Sequence, residues 1–180
     1  YRFDLKSGAP KAITGAASFS APAFEGPALV AIRQSFTEPP TVVSVNPRNG
    51  AVTKLSAFND TALARIRWGK VESVTYKGAR GDDIQMWVIY PPDFDPSRKY
   101  PVYMLLHGGP HNGVTDGTQW RWNAEVFAGW GYITTWHNFH GSSGFGQEFT
   151  DSINPDRISM PNEDTIKAAE YLMSKPYVDS

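Results

Sequence analysis

The chain has 180 residues, with 17 Lys plus Arg against 18 Asp plus Glu, a formal net charge of −1 and no cysteine. That balance offers no basic field to nucleic acid and no polybasic segment to an anionic membrane, and the missing cysteine excludes disulfides, thiolate metal sites and a cysteine nucleophile. No apolar run approaches the roughly 20 residues of a spanning helix, and a cysteine-free chain is at home in cytoplasm or periplasm alike.

The opening Tyr1-Arg-Phe-Asp-Leu-Lys6 resembles an interior strand more than a signal peptide, so an N-terminal portion is expected to precede it. Up to about residue 70, short strand patterns alternate with turn chemistry and nothing keeps helical period for three turns. Residues 28–34 and 41–45 are apolar and β-branched. Asn46-Pro-Arg-Asn-Gly50 is a turn, and residues 51–55 return as its hairpin partner. Such strands suit a propeller blade or a β-sandwich piece equally, since a single blade establishes no repeat.

From Val71 the pattern changes. Residues 71–77 and 84–90 flank Gly78-Ala-Arg-Gly-Asp-Asp83, a hairpin connection, and Pro91-Pro-Asp-Phe-Asp-Pro96 interrupts the ladder because proline donates no hydrogen bond. A strand ending at His107, a helical stretch over residues 119–128 and a strand over 132–136 make a parallel crossover unit. A second loop, Asn138-Phe-His-Gly-Ser-Ser-Gly-Phe-Gly146, follows at a strand's carboxyl end, where open α/β sheets build their sites. The last helix is expected to start at an Asn162 cap and to present Ile166, Ala169 and Met173 on one face, with Lys175-Pro176 closing it and residues 177–180 leading into another strand.

The chemistry concentrates in His107-Gly-Gly-Pro-His111, where an apolar strand breaks into a loop able to present backbone N–H groups to an anion. Serine hydrolases of the α/β-hydrolase fold place an oxyanion-hole donor on this kind of loop, and glycine at 108 and 109 keeps the approach open. The nucleophile elbow Gly-x-Ser-x-Gly is absent from the sequence: in Gly141-Ser-Ser-Gly144, Phe145 stands where the last glycine is required. His107 and His111 are four apart, but Gly-Gly-Pro forbids the helix that would put both imidazoles on one metal ion, so no metal is expected. The glycine-rich second loop lacks nucleotide-binding spacing, so no cofactor is expected either. His107 supports its own loop, and His137 and His140 read as loop or pocket residues. Trp120, Trp122, Trp130 and Trp136 read mostly as core, with Trp120 and Trp122 near the exit of the first loop. Asp156, Glu163 and Asp164 read as helix-capping acids.

Taken in order, residues 91–101, His107-Gly-Gly-Pro-His111, residues 138–149, Glu163-Asp164 and Tyr177-Val-Asp179 resemble the prolyl oligopeptidase family of serine peptidases, in its acylaminoacyl-peptidase and dipeptidyl-peptidase branch. The resemblance implies an α/β fold: residues 1–70 as the C-terminal part of a β-propeller, and 71–180 as the N-terminal part of an α/β-hydrolase catalytic domain that stops before the nucleophile elbow. It implies a peptide substrate, with the rest of the hydrolase domain as the structural partner that supplies catalytic Ser, Asp and His. By the same resemblance the Gly109 N–H is an oxyanion-hole donor, with Gly108 and His107 supporting the loop, and Pro110, His111, Trp120, Asn138 and His140 bordering the substrate. His140 stands where the family often carries arginine. A carboxylesterase sharing this loop chemistry, and a non-catalytic fragment that needs a second chain, are the alternatives.

Overall fold

The computed structural model describes residues 1–179, and Ser180, the end of the expected final strand, lies outside them. The chain forms two compact units, Tyr1–Ile66 with Thr115–Thr118, and Arg67–Val114 with Gln119–Ser180.

The first unit is antiparallel β. After a short ribbon of β1 (Arg2–Phe3) and β2 (Pro10–Lys11), four strands pair in chain order: β3 (Ser18–Glu25), β4 (Ala28–Ser35), β5 (Glu38–Val45) and β6 (Val52–Lys54). In β5 the period-2 alternation is complete, with Thr41, Val43 and Val45 buried and Pro40 and Val42 exposed. Ala31, Val43 and Val45 form the core, with Phe19, Leu29 and Val52 against it. Pro39 and Pro40 are tolerated within a paired strand because the register shifts between Arg33 and Ser35 and relieves their missing donors. The unit ends in the single turn α1 (Asp60–Leu63). Its Thr115–Thr118 piece is tied in by hydrogen bonds: the Phe36 N–H donates to Asp116 at 2.8 Å, and the Thr118 hydroxyl lies 2.9 Å from the Ser35 carbonyl and 3.1 Å from that of Glu38.

The second unit holds a mixed sheet in the order β7-β8-β10-β9, made of β7 (Val71–Lys77), β8 (Asp83–Ile89), β9 (Val102–Leu105) and β10 (Ile133–Asn138). Strands β7 and β8 form the expected hairpin, β8 runs antiparallel to β10, and β9 runs parallel to β10 across the crossover. Every residue of β10 is buried, as befits a central strand covered on both faces. Beyond the free edge of β9, Tyr100 bridges Val178 in parallel: the Tyr100 N–H donates to the Tyr177 carbonyl and the Asp179 N–H to that of Tyr100, each at 2.9 Å. A ring cluster closes this end, with Phe94 at 4.6 Å from Tyr90, 5.0 Å from Tyr100 and 5.1 Å from Tyr177.

Four expectations are corrected. The crossover helix is shorter than residues 119–128; α2 is Ala124–Gly129, because the Asn123 side chain accepts the Glu125 N–H and fixes the start there. After the short α3 (Gln147–Asp151), the last helix α4 is Ser159–Met173 and begins before Asn162. Asp156 accepts the N–H groups of Ile158 and Ser159 and the Ser159 hydroxyl, doing the capping assigned to Asn162. The face α4 buries is Asp164, Ala168 and Leu172, spaced by four, while Ile166 and Met173 face outward. Of the four tryptophans considered for the core, Trp136 alone is buried; Trp120, Trp122 and Trp130 are exposed.

Candidate active site

Strand β9 ends at Leu105 and delivers His107 to Asn112 to the carboxyl edge of the sheet, and its parallel neighbour β10 delivers the loop of residues 139–146 to the same edge. The two loops touch. His107 Nε2 lies 2.9 Å from Ser142 Oγ, His111 Nδ1 lies 3.1 Å from the Gly141 carbonyl, and the Ser143 N–H donates to the Asn112 carbonyl at 3.0 Å. His107 also stacks on Phe139 at 4.2 Å. Burial holds the His107 imidazole below its ordinary pKa, with the Gly108 carbonyl acting the other way. Its Nδ1, 3.2 Å from that carbonyl, carries the proton, so the neutral ring accepts from the Ser142 hydroxyl.

Gly109 is exposed with φ of +130°, a conformation that strains any L side chain, and a Cβ there would meet the Asn112 side chain at 3.0 Å. Its N–H makes no hydrogen bond among the described residues. Gly108 differs: an added Cβ would meet nothing within 4 Å, so the expected need for glycine at both positions holds for the backbone of Gly109 alone.

The second loop is anchored beneath. Asn138 is buried and its amide is fully engaged, accepting the Val114 N–H at 2.7 Å and donating to the Val114 carbonyl and Gln85 Oε1. His140 is 2 % exposed, stacks on Phe149 and places both ring nitrogens on carboxylates: Nδ1 at 2.8 Å from Asp164 and Nε2 at 3.2 Å from Asp82. Neither side chain is offered to a substrate, so the expected substrate contacts of Asn138 and His140 give way to supporting roles. Gly141 follows with φ of +95° and no room for a Cβ, which would lie 2.3 Å from Ile153 Cδ1. Pro110 and His111 remain on the loop, whereas Trp120 is 75 % exposed and belongs to no core.

The residue that the sequence reading missed is Asp164. Read as a helix-end acid, it is wholly buried and accepts the N–H groups of Ala79 and His140, each at 2.7 Å, besides the His140 ring. Its own backbone carbonyl accepts the Tyr76 hydroxyl at 2.9 Å. A charged residue spaced by four from Ala168 and Leu172 on the helix was the available signal.

Residues 118–180 match the sequence profile of the prolyl oligopeptidase family. Over that stretch the chain is similar to the prolyl oligopeptidase family. It is 34% identical over 180 residues to the dipeptidyl-peptidase 5 of Porphyromonas gingivalis, covering 99% of this chain and 26% of the relative. To the probable dipeptidyl-peptidase 5 of Aspergillus terreus it is 40% identical over 142 residues, covering 77% of this chain and 20% of the relative. The chain thus spans between a fifth and about a quarter of the length of these curated relatives. Uncomplexed Pyrococcus horikoshii acylaminoacyl peptidase superposes with a TM-score of 0.78 over 92% of this chain and 26% of its own, at 18% identity, a likeness of fold. In this chain the two loops form one wall at the carboxyl edge of a mixed sheet.

Proposed function

We propose that the protein carrying this chain is a serine peptidase that releases dipeptides or acylated amino acids from short peptides by acyl-enzyme chemistry. On this reading residues 1–70 are the end of a β-propeller and 71–180 the start of an α/β-hydrolase domain, whose remainder supplies the nucleophile, acid and base. The observation that carries it is Gly109: an exposed backbone N–H without a partner among the described residues, held at positive φ at the carboxyl end of a parallel strand. A donor fixed in that way, before any substrate arrives, stabilises the oxyanion of a tetrahedral intermediate without reorganising. His107 and Gly108 support the loop, and Pro110, His111 and Trp120 border the approach of the peptide. The names of the relatives, dipeptidyl-peptidase 5 in both cases, support the substrate class.

The test is a substrate panel on the full-length protein: chromogenic dipeptidyl amides, N-acylated amino-acid amides, internally cleaved peptides and short-chain esters. Turnover of the dipeptidyl or acylated amides above the esters is expected. Turnover of esters alone would make the protein a carboxylesterase, and no turnover of any class would leave a non-catalytic role.

A further inference from the structure

Below the loop that the proposed reaction uses, His140 is placed between two carboxylates from different parts of the unit. Asp164 reaches it from α4 and Asp82 from the β7-β8 hairpin, with Nδ1 at 2.8 Å from the first and Nε2 at 3.2 Å from the second. An ionised carboxylate only accepts, so a ring nitrogen facing one must carry a hydrogen. The other charged groups bordering this point are Arg80, Asp83 and Glu148, which line a cavity of about 360 Å³ beside Asp82, His140 and Phe149.

His140 is also the residue from which the loop-to-loop contacts start. Its own N–H donates to Asp164 at 2.7 Å, the next residue offers its carbonyl to His111, the one after pairs its hydroxyl with His107, and the third donates its N–H to Asn112. We propose that His140, held doubly protonated between Asp164 and Asp82, is a positioning residue that fixes residues 141–143 against the first loop and so aims the Gly109 N–H. The ring touches no substrate. It acts through two carboxylates that set its height and angle, and through three consecutive residues that transmit them to the oxyanion loop. This inference rests on the peptidase reading only for its activity readout.

The experiment compares the full-length wild-type protein with His140→Gln, which is close in size but can reach only one carboxylate as a donor, and with His140→Arg, whose guanidinium donates to both and has the neighbouring cavity for its extra length. Three quantities are measured: kcat and KM on the peptide substrate, the protonation of the His140 ring by nitrogen-15 NMR at neutral pH, and hydrogen exchange at the Ser143 amide. Both ring nitrogens are expected to carry hydrogen in the wild type. His140→Gln should lower kcat about 10- to 100-fold with KM within about threefold, since a misaimed donor loses transition-state stabilisation and not ground-state binding. It should also speed Ser143 exchange, and His140→Arg should recover both. A ring with one hydrogen, or a folded His140→Gln protein with wild-type kcat and Ser143 exchange, would overturn the proposal. If the wild type turns over no substrate, the hydrolase reading falls by itself, and ring protonation and Ser143 exchange still decide the positioning role. If His140→Gln does not fold, the wild-type ring spectrum and the recovery by His140→Arg decide it.

Discussion

The Ser142 hydroxyl donates to His107 Nε2 across 2.9 Å and joins the two loops that follow neighbouring parallel strands. The pair has the composition of a nucleophile with its base, yet Ser142 is fully buried, so no carbonyl can approach it. A fluorophosphonate probe on the full-length protein is therefore expected to leave Ser142 unmodified, and a labelled Ser142 would reassign it as a nucleophile. Replacing it by alanine should cost about 1 kcal/mol, the net value of one hydrogen bond, because the half-buried His107 can turn its freed nitrogen to water. A change in unfolding midpoint much beyond that would mean the contact carries more of the loop than one bond.

Much of this arrangement was legible in the sequence. The β7-β8 hairpin, the parallel β9-α2-β10 crossover and the facing of the two loops follow from period, turn chemistry and the rule that sites gather at carboxyl ends of parallel strands. Strand β3 was not, because its Ser, Ala and Pro residues are largely exposed and leave no alternation to read. The α4 face was misread for a physical reason: the helix is held down by Asp164, whose partners lie on the His140 loop and the hairpin, 24 and 85 residues away in sequence. Hydrophobic periodicity scores that residue as solvent-facing and Ile166 as core, the reverse of what the hydrogen bonds dictate.

His137 should make stability fall in acid. Burial pushes its imidazole down to about 4, with Asp164 opposing and His107 adding slightly. The Thr165 hydroxyl donates to the Pro161 carbonyl, so it accepts from His137 Nε2–H and leaves Nδ1 bare, a neutral ring. The unfolded chain binds this proton at about pH 6.5 and the folded chain only near pH 4. The contribution is therefore complete above about pH 6.5 and is lost as pH falls toward 4, roughly 3 kcal/mol in all. Denaturant titrations of the full-length protein between these values should show that slope, flattened in His137→Gln. An unchanged slope in the variant would exclude His137 as its source.

Glu125 has the opposite sign. It is buried in the first turn of α2, its Oε1 has no partner among the described residues, and Oε2 has only the Gly69 N–H at 3.5 Å. Burial raises its carboxyl to about 7 against that weak hydrogen bond. Folding then favours the protonated form: the contribution is complete below about pH 4.5 and is lost as pH rises through 7. Glu125→Gln, which keeps the shape and cannot ionise, should match the wild type at pH 4 and exceed it by about 2 kcal/mol at pH 8, allowing for partial solvent screening. Equal stabilities at pH 8 would show that the carboxylate finds a partner there.

The sharpest contrast falls on adjacent glycines. At Gly109, alanine must adopt φ near +130° and displace the Asn112 side chain, which lies 3.0 Å from the new carbon. About 1–2 kcal/mol of backbone strain follows, and the loop relieves it by turning the N–H away. At Gly108 the same carbon meets nothing, so stability should stay within about 0.5 kcal/mol. In the full-length protein Gly109→Ala is expected to lower kcat by ~10²-fold or more, the scale of losing one oxyanion-hole donor, while Gly108→Ala keeps its folding stability and most of its kcat. Equal loss of kcat in two folded variants would place the reacting oxygen over Gly108. Full activity in Gly109→Ala would remove its N–H from the reaction.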